Sequence, residues 1–417
     1  MPERIIDRVW RKIFDDIPIV REIQEHGRFE ITADTIKHYY EPRLVTKFDF
    51  SQALPEVMKA NNIAILPNTT GTYLLGNFKI FKKFPKETSE IHAVPFPEWI
   101  ESIDPNKIQS EAIAIASATL TPMFADFFED DRLVSTVSGR MGSGRFDFLI
   151  GNNQINVNSS QIEIDGALES PDRFVLLEGK NVLHDDFIVR QLYYPYRTFN
   201  EKIHKPIHTV FLTYSNNVYR LMEYRFTNPM QYDSCEFVRE KKYCIDTETI
   251  TLNDIIEVYQ RTQPIPEDPE VPYIQCDSFA KIINIIENLA QRESMTEDDI
   301  TNLFEFTSRQ GNYYFNGCRF LKLVKKERQS IYLTGKGKRV ISCKTYKARQ
   351  LALAEYIFQH SIFRAMFDIY LRTGQIPDKN TTINLMRQFN VCGESLLDRR
   401  SLSTLSWFRW IIGLISD

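Results

Sequence analysis

The sequence has little that would tie it to a membrane, an oxidising compartment or an ATP-driven cycle. No apolar run approaches the ~18 residues of a membrane helix. The first residues, MPERIIDRVWRKIFDD, alternate charge with apolar side chains where a signal peptide would carry an unbroken apolar core. Cysteine is scarce: six residues, at 235, 244, 276, 318, 343 and 392, with no C-x-x-C pair, which fits neither a zinc ribbon nor a disulfide framework. A cytoplasmic protein with reduced thiols and no membrane partner is therefore expected. There is no G-x-x-x-x-G-K-[ST] segment, which speaks against ATP-driven translocation within this chain. No methyltransferase-like glycine motif is present either. His204 and His208 have metal-pair spacing, but Pro206 between them spoils the helix such a pair needs. Repeats and low-complexity tracts are absent.

What is there is an ordinary globular composition, 43 % hydrophobic and 25 % charged, which argues against long disorder. At ~150 residues per domain, 417 residues imply two or three domains. The clearest boundary is Gln263 to Pro272, QPIPEDPEVP, whose four prolines prevent both helix and central strand. A softer one lies at Val94 to Pro105. The expected organisation is an α+β region over 1–105, a mixed α/β core over 106–262, a linker over 263–272 and a mainly helical domain over 273–417. Periodicity predicts helices over Arg4–Ile23, Leu54–Ala60 and Lys107–Phe128, the last kinked at Pro122. Thr32 is read as a helix N-cap. Strands are expected at Arg145–Ile150, Gln161–Ala167, Arg173–Glu178, His208–Tyr214 and Val218–Phe226, with a helix from Asp185 to about Tyr194.

The segment with the most chemistry is IEIDGALESPDRFVLLEGKN, Ile162 to Asn181. Strand alternation puts Glu178 and Lys180 on one face and Gly179 on the other. Four apolar residues precede them, so the strand is read as buried, with the charges at its C-terminal end, where open α/β sheets place ligands. A hairpin would bring Asp165, thirteen residues earlier, beside Glu178. Two adjacent carboxylates repel unless a cation sits between them. Mg²⁺ suits such a pair, because it prefers oxygen ligands and keeps several waters. A lysine beside it can orient water or stabilise negative charge. A second E-x-K, Glu240-Lys241-Lys242, lies in the charged run VREKKY and is read as a solvated face.

The order helix, strands carrying D and then E-x-K, helix, strand resembles the PD-(D/E)XK nuclease core, and specifically type II restriction endonucleases, over roughly Lys107 to Phe226. The resemblance implies a sequence-specific, Mg²⁺-dependent endonuclease acting on double-stranded DNA and leaving 5′-phosphate and 3′-hydroxyl ends. It implies Asp165, Glu178 and Lys180 as the catalytic triplet and the Gly179 carbonyl as a metal ligand, with Glu111 as a further one. Gln191 is the helix residue expected near the active site, and Tyr193 and Tyr194 are equally well read as packing. Ile164 stands where the motif has proline. Asp147 is a rival for Asp165, and Glu163 is a possible third ligand or a neighbour. A homodimer on palindromic DNA and a separate cognate methyltransferase also follow from the resemblance.

From Arg319 to Arg349 there are eleven Lys or Arg against the single acid Glu327, in a chain of net charge −4. Helices from Thr296 and over SRQGNYYFNGCRFLKLV, followed by SIYLTGKGKRV as a hairpin with a Gly-Lys turn, resemble a winged helix-turn-helix domain. Arg309, Gln310, Asn312, Tyr313, Asn316 and Lys336 are its candidate DNA contacts. Further candidates are Arg190, Arg140 and Arg145 (the last two in the loop SGRMGSGR), and Arg43 and Lys47 in the first region. Trp407 and Trp410 are read as core. Two other readings stand beside the restriction enzyme: a catalytically inactive winged-helix DNA-binding regulator, and a nuclease of the same superfamily in DNA repair or another defence system.

Overall fold

A computed structural model describes residues 4–86, 90–246, 248–304 and 306–416. The chain is mixed α/β with a helical C-terminal region. Its centre is a seven-stranded sheet in the order Ile91–Val94, Cys235–Ile245, Val218–Phe226, Ile207–Ser215, Phe174–Lys180, Gly166–Glu169 and Val134–Ser135. The FVLLEGK strand is covered on both faces, which is why it reads as a continuous apolar run. It pairs in parallel with Ile207–Ser215, and a parallel pair needs a crossover connection. The helix Arg190–Asn200 lies in that connection. Phe174 and Leu176 pack with Leu192, Tyr193 and Tyr194 of this helix. Val175 and Leu177 face the opposite way, onto Ala114, Ile115 and Ala118 of the helix Glu111–Leu120. The sheet is thus layered between helices, with the E-x-K pair at the C-terminal end of one of its interior strands.

Several expected elements are divided, and proline or glycine accounts for most of the divisions. The first helix is two, Ile5–Asp16 and Ile19–His26, separated at Pro18. The helix expected over Lys107–Phe128 begins at Glu111, where the Ser110 hydroxyl caps Ile113 N–H at 3.2 Å, and breaks before Met123–Phe128 at Pro122. The helix expected from Asp185 begins only at Arg190, because Asp186–Ile188 is a strand paired with Phe81–Lys83. The expected strand Gln161–Ala167 splits at Asp165: Gln161–Ile164 pairs with Gly139–Gly142, and Gly166–Glu169 enters the central sheet. SGRMGSGR is therefore partly strand, not a free loop. VREKKY is no solvated face either. It belongs to the strand Cys235–Ile245, and Glu240 takes Arg220 at 2.5 Å with a side chain only 5 % exposed.

The sheet also reaches across the expected boundary at 105, since Ile91–Val94 is its edge strand. Residues 263–272 form neither helix nor strand, yet they are tied down: Ile265 N–H donates to Gln359 O at 2.9 Å and Glu267 pairs with His360 at 2.9 Å. In the C-terminal region the helix Phe279–Arg292 precedes Glu297–Leu303 and Ser308–Phe320, both of the latter closed by capping boxes, from Thr296 and Thr307. Glu305, within the first expected helix run, lies outside the described residues. The hairpin is Val324–Glu327 with Ser330–Leu333, turning at Arg328, and Gly335–Ile341 is a helix. Trp407 is fully buried, its Nε1–H on Cys276 O at 2.9 Å.

Candidate active site

Asp165 occupies the break just before Gly166, and the register pairs Gly166 with Leu177. The carboxylate is thereby brought to the end of the E-x-K strand, where its Oδ2 accepts from Gly179 N–H at 2.8 Å. Lys180 Nζ donates to Glu178 Oε1 at 2.7 Å and to Gly179 O at 3.0 Å, and lies 3.9 Å from Glu111 Oε1. Glycine at 179 has a steric reason: a Cβ there would meet Ile115 Cδ1 at 3.1 Å and Glu111 Cβ at 3.4 Å. The missing side chain lets the helix bring Glu111 up to the strand end.

The electrostatics of this cluster are those of crowded carboxylates. Burial pushes the Glu178 carboxyl up to about 8; Lys180 opposes that and Asp165 and Asp49 reinforce it. Burial also raises Glu111, with Asp165 and Asp49 adding to it. Burial alone would lower the Lys180 ammonium, but Glu178, Glu111 and Asp165 together hold it above its ordinary value.

Asp49 is the site residue that sequence reasoning missed. It comes from the N-terminal region, its carbonyl accepting from Ile188 N–H at 2.8 Å. Its Oδ1 is buried without a hydrogen-bond partner, and Oδ2 lies 3.8 Å from Lys47. Nothing local in TKFDF marks it, because well over a hundred residues separate it from Glu178. Lys47, read as a DNA contact, thus stands beside the acidic cluster.

No group of three or more His, Cys, Asp or Glu converges on a metal-binding point among the described residues. The donors nonetheless fit a hard divalent cation. Asp165, Glu178 and the Gly179 carbonyl are oxygen ligands of the number Mg²⁺ takes from a protein. Asp49 keeps a buried Oδ1 without a hydrogen-bond partner, one further oxygen donor at this cluster.

The other candidates divide. Gln191 Oε1 is buried and without a partner at the start of the crossover helix. Arg190 lies over the Tyr194 ring at 5.7 Å. Tyr193 and Tyr194 are packing residues, their hydroxyls on Pro229 O and Pro67 O at 2.7 and 2.8 Å. Asp147 is on a separate two-stranded sheet, bonded to Asn156 at 2.8 Å, so Asp165 holds the place beside Gly179. Glu163 faces outward and pairs with Arg140 at 3.1 Å, which makes it a neighbour and not a ligand. Arg145 is exposed, on Asn158 at 3.0 Å, and Arg43 is exposed beside Glu41 at 3.3 Å.

In the C-terminal region Arg309, Gln310 and Asn312 are exposed on one helix, with Tyr313 half-buried. Gln310 also closes the cap, accepting from Thr307 N–H at 3.0 Å. Two candidates do not suit a DNA contact. Asn316 is buried and bonded to Asn312 at 2.8 Å. Lys336 is in a helix and not in a hairpin turn: it lies over the Tyr356 ring at 4.6 Å and bonds Gln359. Much of the basic run is spent internally, as in Lys326–Glu297, Arg339–Glu355 and Arg349–Glu287. Lys322, Arg328, Lys338 and Lys344 remain exposed.

Three family models match successive parts of the chain, each described as a domain of unknown function: DUF6996 over residues 7–75, DUF6997 over 76–244 and DUF7226 over 281–416. The middle match takes in the edge strand Ile91–Val94, as the central sheet does. No curated protein matches the chain, and no solved structure does. No helix among the described residues is long and apolar enough to cross a membrane.

Proposed function

We propose that the chain is a Mg²⁺-dependent endonuclease of double-stranded DNA, of the type II restriction class, built on a PD-(D/E)XK core with a winged-helix-like DNA-binding domain. The observation that carries this reading is the Asp165–Gly179 hydrogen bond, which brings an aspartate to the backbone between Glu178 and Lys180 at the C-terminal end of a strand in a parallel pair.

Asp165, Glu178 and the Gly179 carbonyl would hold the cation, with Glu111 and Asp49 adding negative charge behind them. When bound, Mg²⁺ supplies Lewis acidity toward a phosphodiester. Lys180, kept protonated by its carboxylates, stabilises the negative charge that develops on the phosphoryl oxygens and orients the attacking water. Gln191, whose carbonyl oxygen is buried without a partner, is the crossover-helix residue this reading sets near the attacking water. Arg309, Gln310 and Asn312 supply base or phosphate contacts from the C-terminal domain. Cleavage to 5′-phosphate and 3′-hydroxyl ends, a homodimer on palindromic sites, a separate methyltransferase and a cytoplasmic location belong to the same proposal.

The test is incubation of the purified protein with a large unmethylated DNA, with and without Mg²⁺, followed by sequencing of the ends. Discrete fragments that need Mg²⁺ and share one terminal sequence are expected. Cleavage governed by DNA structure would move the chain to repair or another defence system. Intact DNA with binding retained would leave the winged-helix regulator.

A further inference from the structure

The peptide that follows Lys180 is held from outside the core. The helix Phe279–Arg292 of the C-terminal domain docks on the ends of the strands Phe174–Lys180 and Ile207–Ser215. Asn284, 1 % exposed, donates from Nδ2 to Asn181 O at 3.0 Å and to Ser215 Oγ at 3.2 Å, and its Oδ1 accepts from Leu183 N–H at 3.4 Å. One turn further, Glu287 accepts from Asn216 N–H at 2.9 Å and Ser215 Oγ at 3.0 Å, and is paired with Arg349 at 2.8 Å. One turn earlier, Lys281 Nζ takes Asp185 at 2.9 Å. Glu111, from the core's own helix, lies 3.9 Å from Lys180 Nζ. The residue immediately after the lysine thus has its carbonyl held by Asn284 of the C-terminal domain. Beside this contact lies a cavity of about 720 Å³ lined by Asn181, Asn284, Glu287 and Lys338, while Val182 packs against the hydrophobic core of the C-terminal region.

We propose that Asn284 is a positioning residue for Lys180: through this amide the C-terminal domain fixes the Asn181–Leu183 backbone, and cleavage depends on how that domain is seated. The inference rests on the nuclease reading above and names the regulation of that site. A DNA that engages the exposed basic residues of the C-terminal domain would act on the seat of that domain, and so on the geometry of Lys180. Nothing in the E-x-K motif requires such a partner. The dependence arises because the strand ends at 180 and the next five residues have no ladder of their own.

The full chain, Asn284→Ala and Lys281→Met are compared by amide hydrogen exchange, DNA affinity in Ca²⁺ and single-turnover cleavage in Mg²⁺. Asn284→Ala is expected to lose protection at Asn181–Asp185 while Phe174–Leu177 stays protected. Its DNA affinity should be unchanged and its cleavage rate lower by about 10- to 100-fold. Lys281→Met, which leaves the Asn284 bonds in place, should move exchange and rate the same way by less, and carries the test should the alanine variant not fold. Unchanged exchange at 181–185 overturns the proposal, as does loosened exchange with an undiminished rate, while the nuclease reading survives both. A full chain inert on every DNA overturns the nuclease reading and this inference with it.

Discussion

Glu178 and Asp49 show how little of a site a single side chain determines. Glu178 lies on a strand whose other residues demand burial, so it is carried into a setting that pushes its carboxyl up to about 8. Only the lysine two residues on keeps that charge tolerable. Asp49 reaches the same cluster from a distant segment and keeps one buried oxygen unpartnered. On the proposed reading, a divalent cation gives that oxygen a use. Asp49→Asn is expected to raise the Mg²⁺ concentration for half-maximal cleavage by about 10-fold or more without loss of DNA affinity. An unchanged Mg²⁺ titration would remove Asp49 from the site. Asp165, Glu178 and Lys180 were legible in the sequence because strand alternation and a short hairpin relate them locally. Asp49 and Asn284 were not, since only tertiary packing brings them there, and their own neighbours carry no pattern.

At the scale of elements, the strand pattern was read more surely than the helix ends. FVLLEGK and the two strands after the crossover helix fall close to their expected limits, because buried runs of that length have no competing helical period. Helix limits moved wherever proline or a cap intervened. The hairpin expected over SIYLTGKGKRV is displaced for a packing reason. GKGK suggests a turn, but Thr334 caps a helix there and Gly337 lies so close that a methyl would overlap the Leu323 carbonyl oxygen. Gly337→Ala should destabilise the C-terminal domain by about 1–3 kcal/mol in denaturant unfolding, and a neutral result would refute that contact. At the far end of the E-x-K strand, Asp130 is bound by Arg132 at 2.9 Å and by Ser170 at 2.8 Å, which lowers its pKa from 3.8 to about 2. Its stabilising contribution is full above the unfolded value and is lost as pH falls toward the folded one. The Tm gap between the wild type and Asp130→Asn should therefore be constant near neutrality and close between about pH 4 and 2. A gap that persists at pH 2 would show that charge is not its source.

The whole molecule sets a central sheet between two regions that each reach the E-x-K end, Asp49 from one and Asn284 from the other. Net charge says little about such an arrangement. The basic run is real, but ion pairs with Glu297, Glu327 and Glu355 absorb part of it. The residues left exposed are the ones expected to meet phosphate. Lys338→Ala should weaken DNA binding evenly across sequences and reduce the slope of log affinity against log salt by about 1. An unaltered slope would place the DNA elsewhere.

Cleavage itself is the most direct measurement of the central claim. Wild type and Lys180→Ala are compared on the same DNA, with binding measured in Ca²⁺ and single-turnover hydrolysis in Mg²⁺. Mg²⁺-dependent nuclease chemistry at Lys180 requires equal binding, hydrolysis by the wild type only when Mg²⁺ is present, and a rate lower by about 100-fold or more in the variant. Hydrolysis that survives the loss of Lys180, or that proceeds equally without a divalent cation, would contradict it.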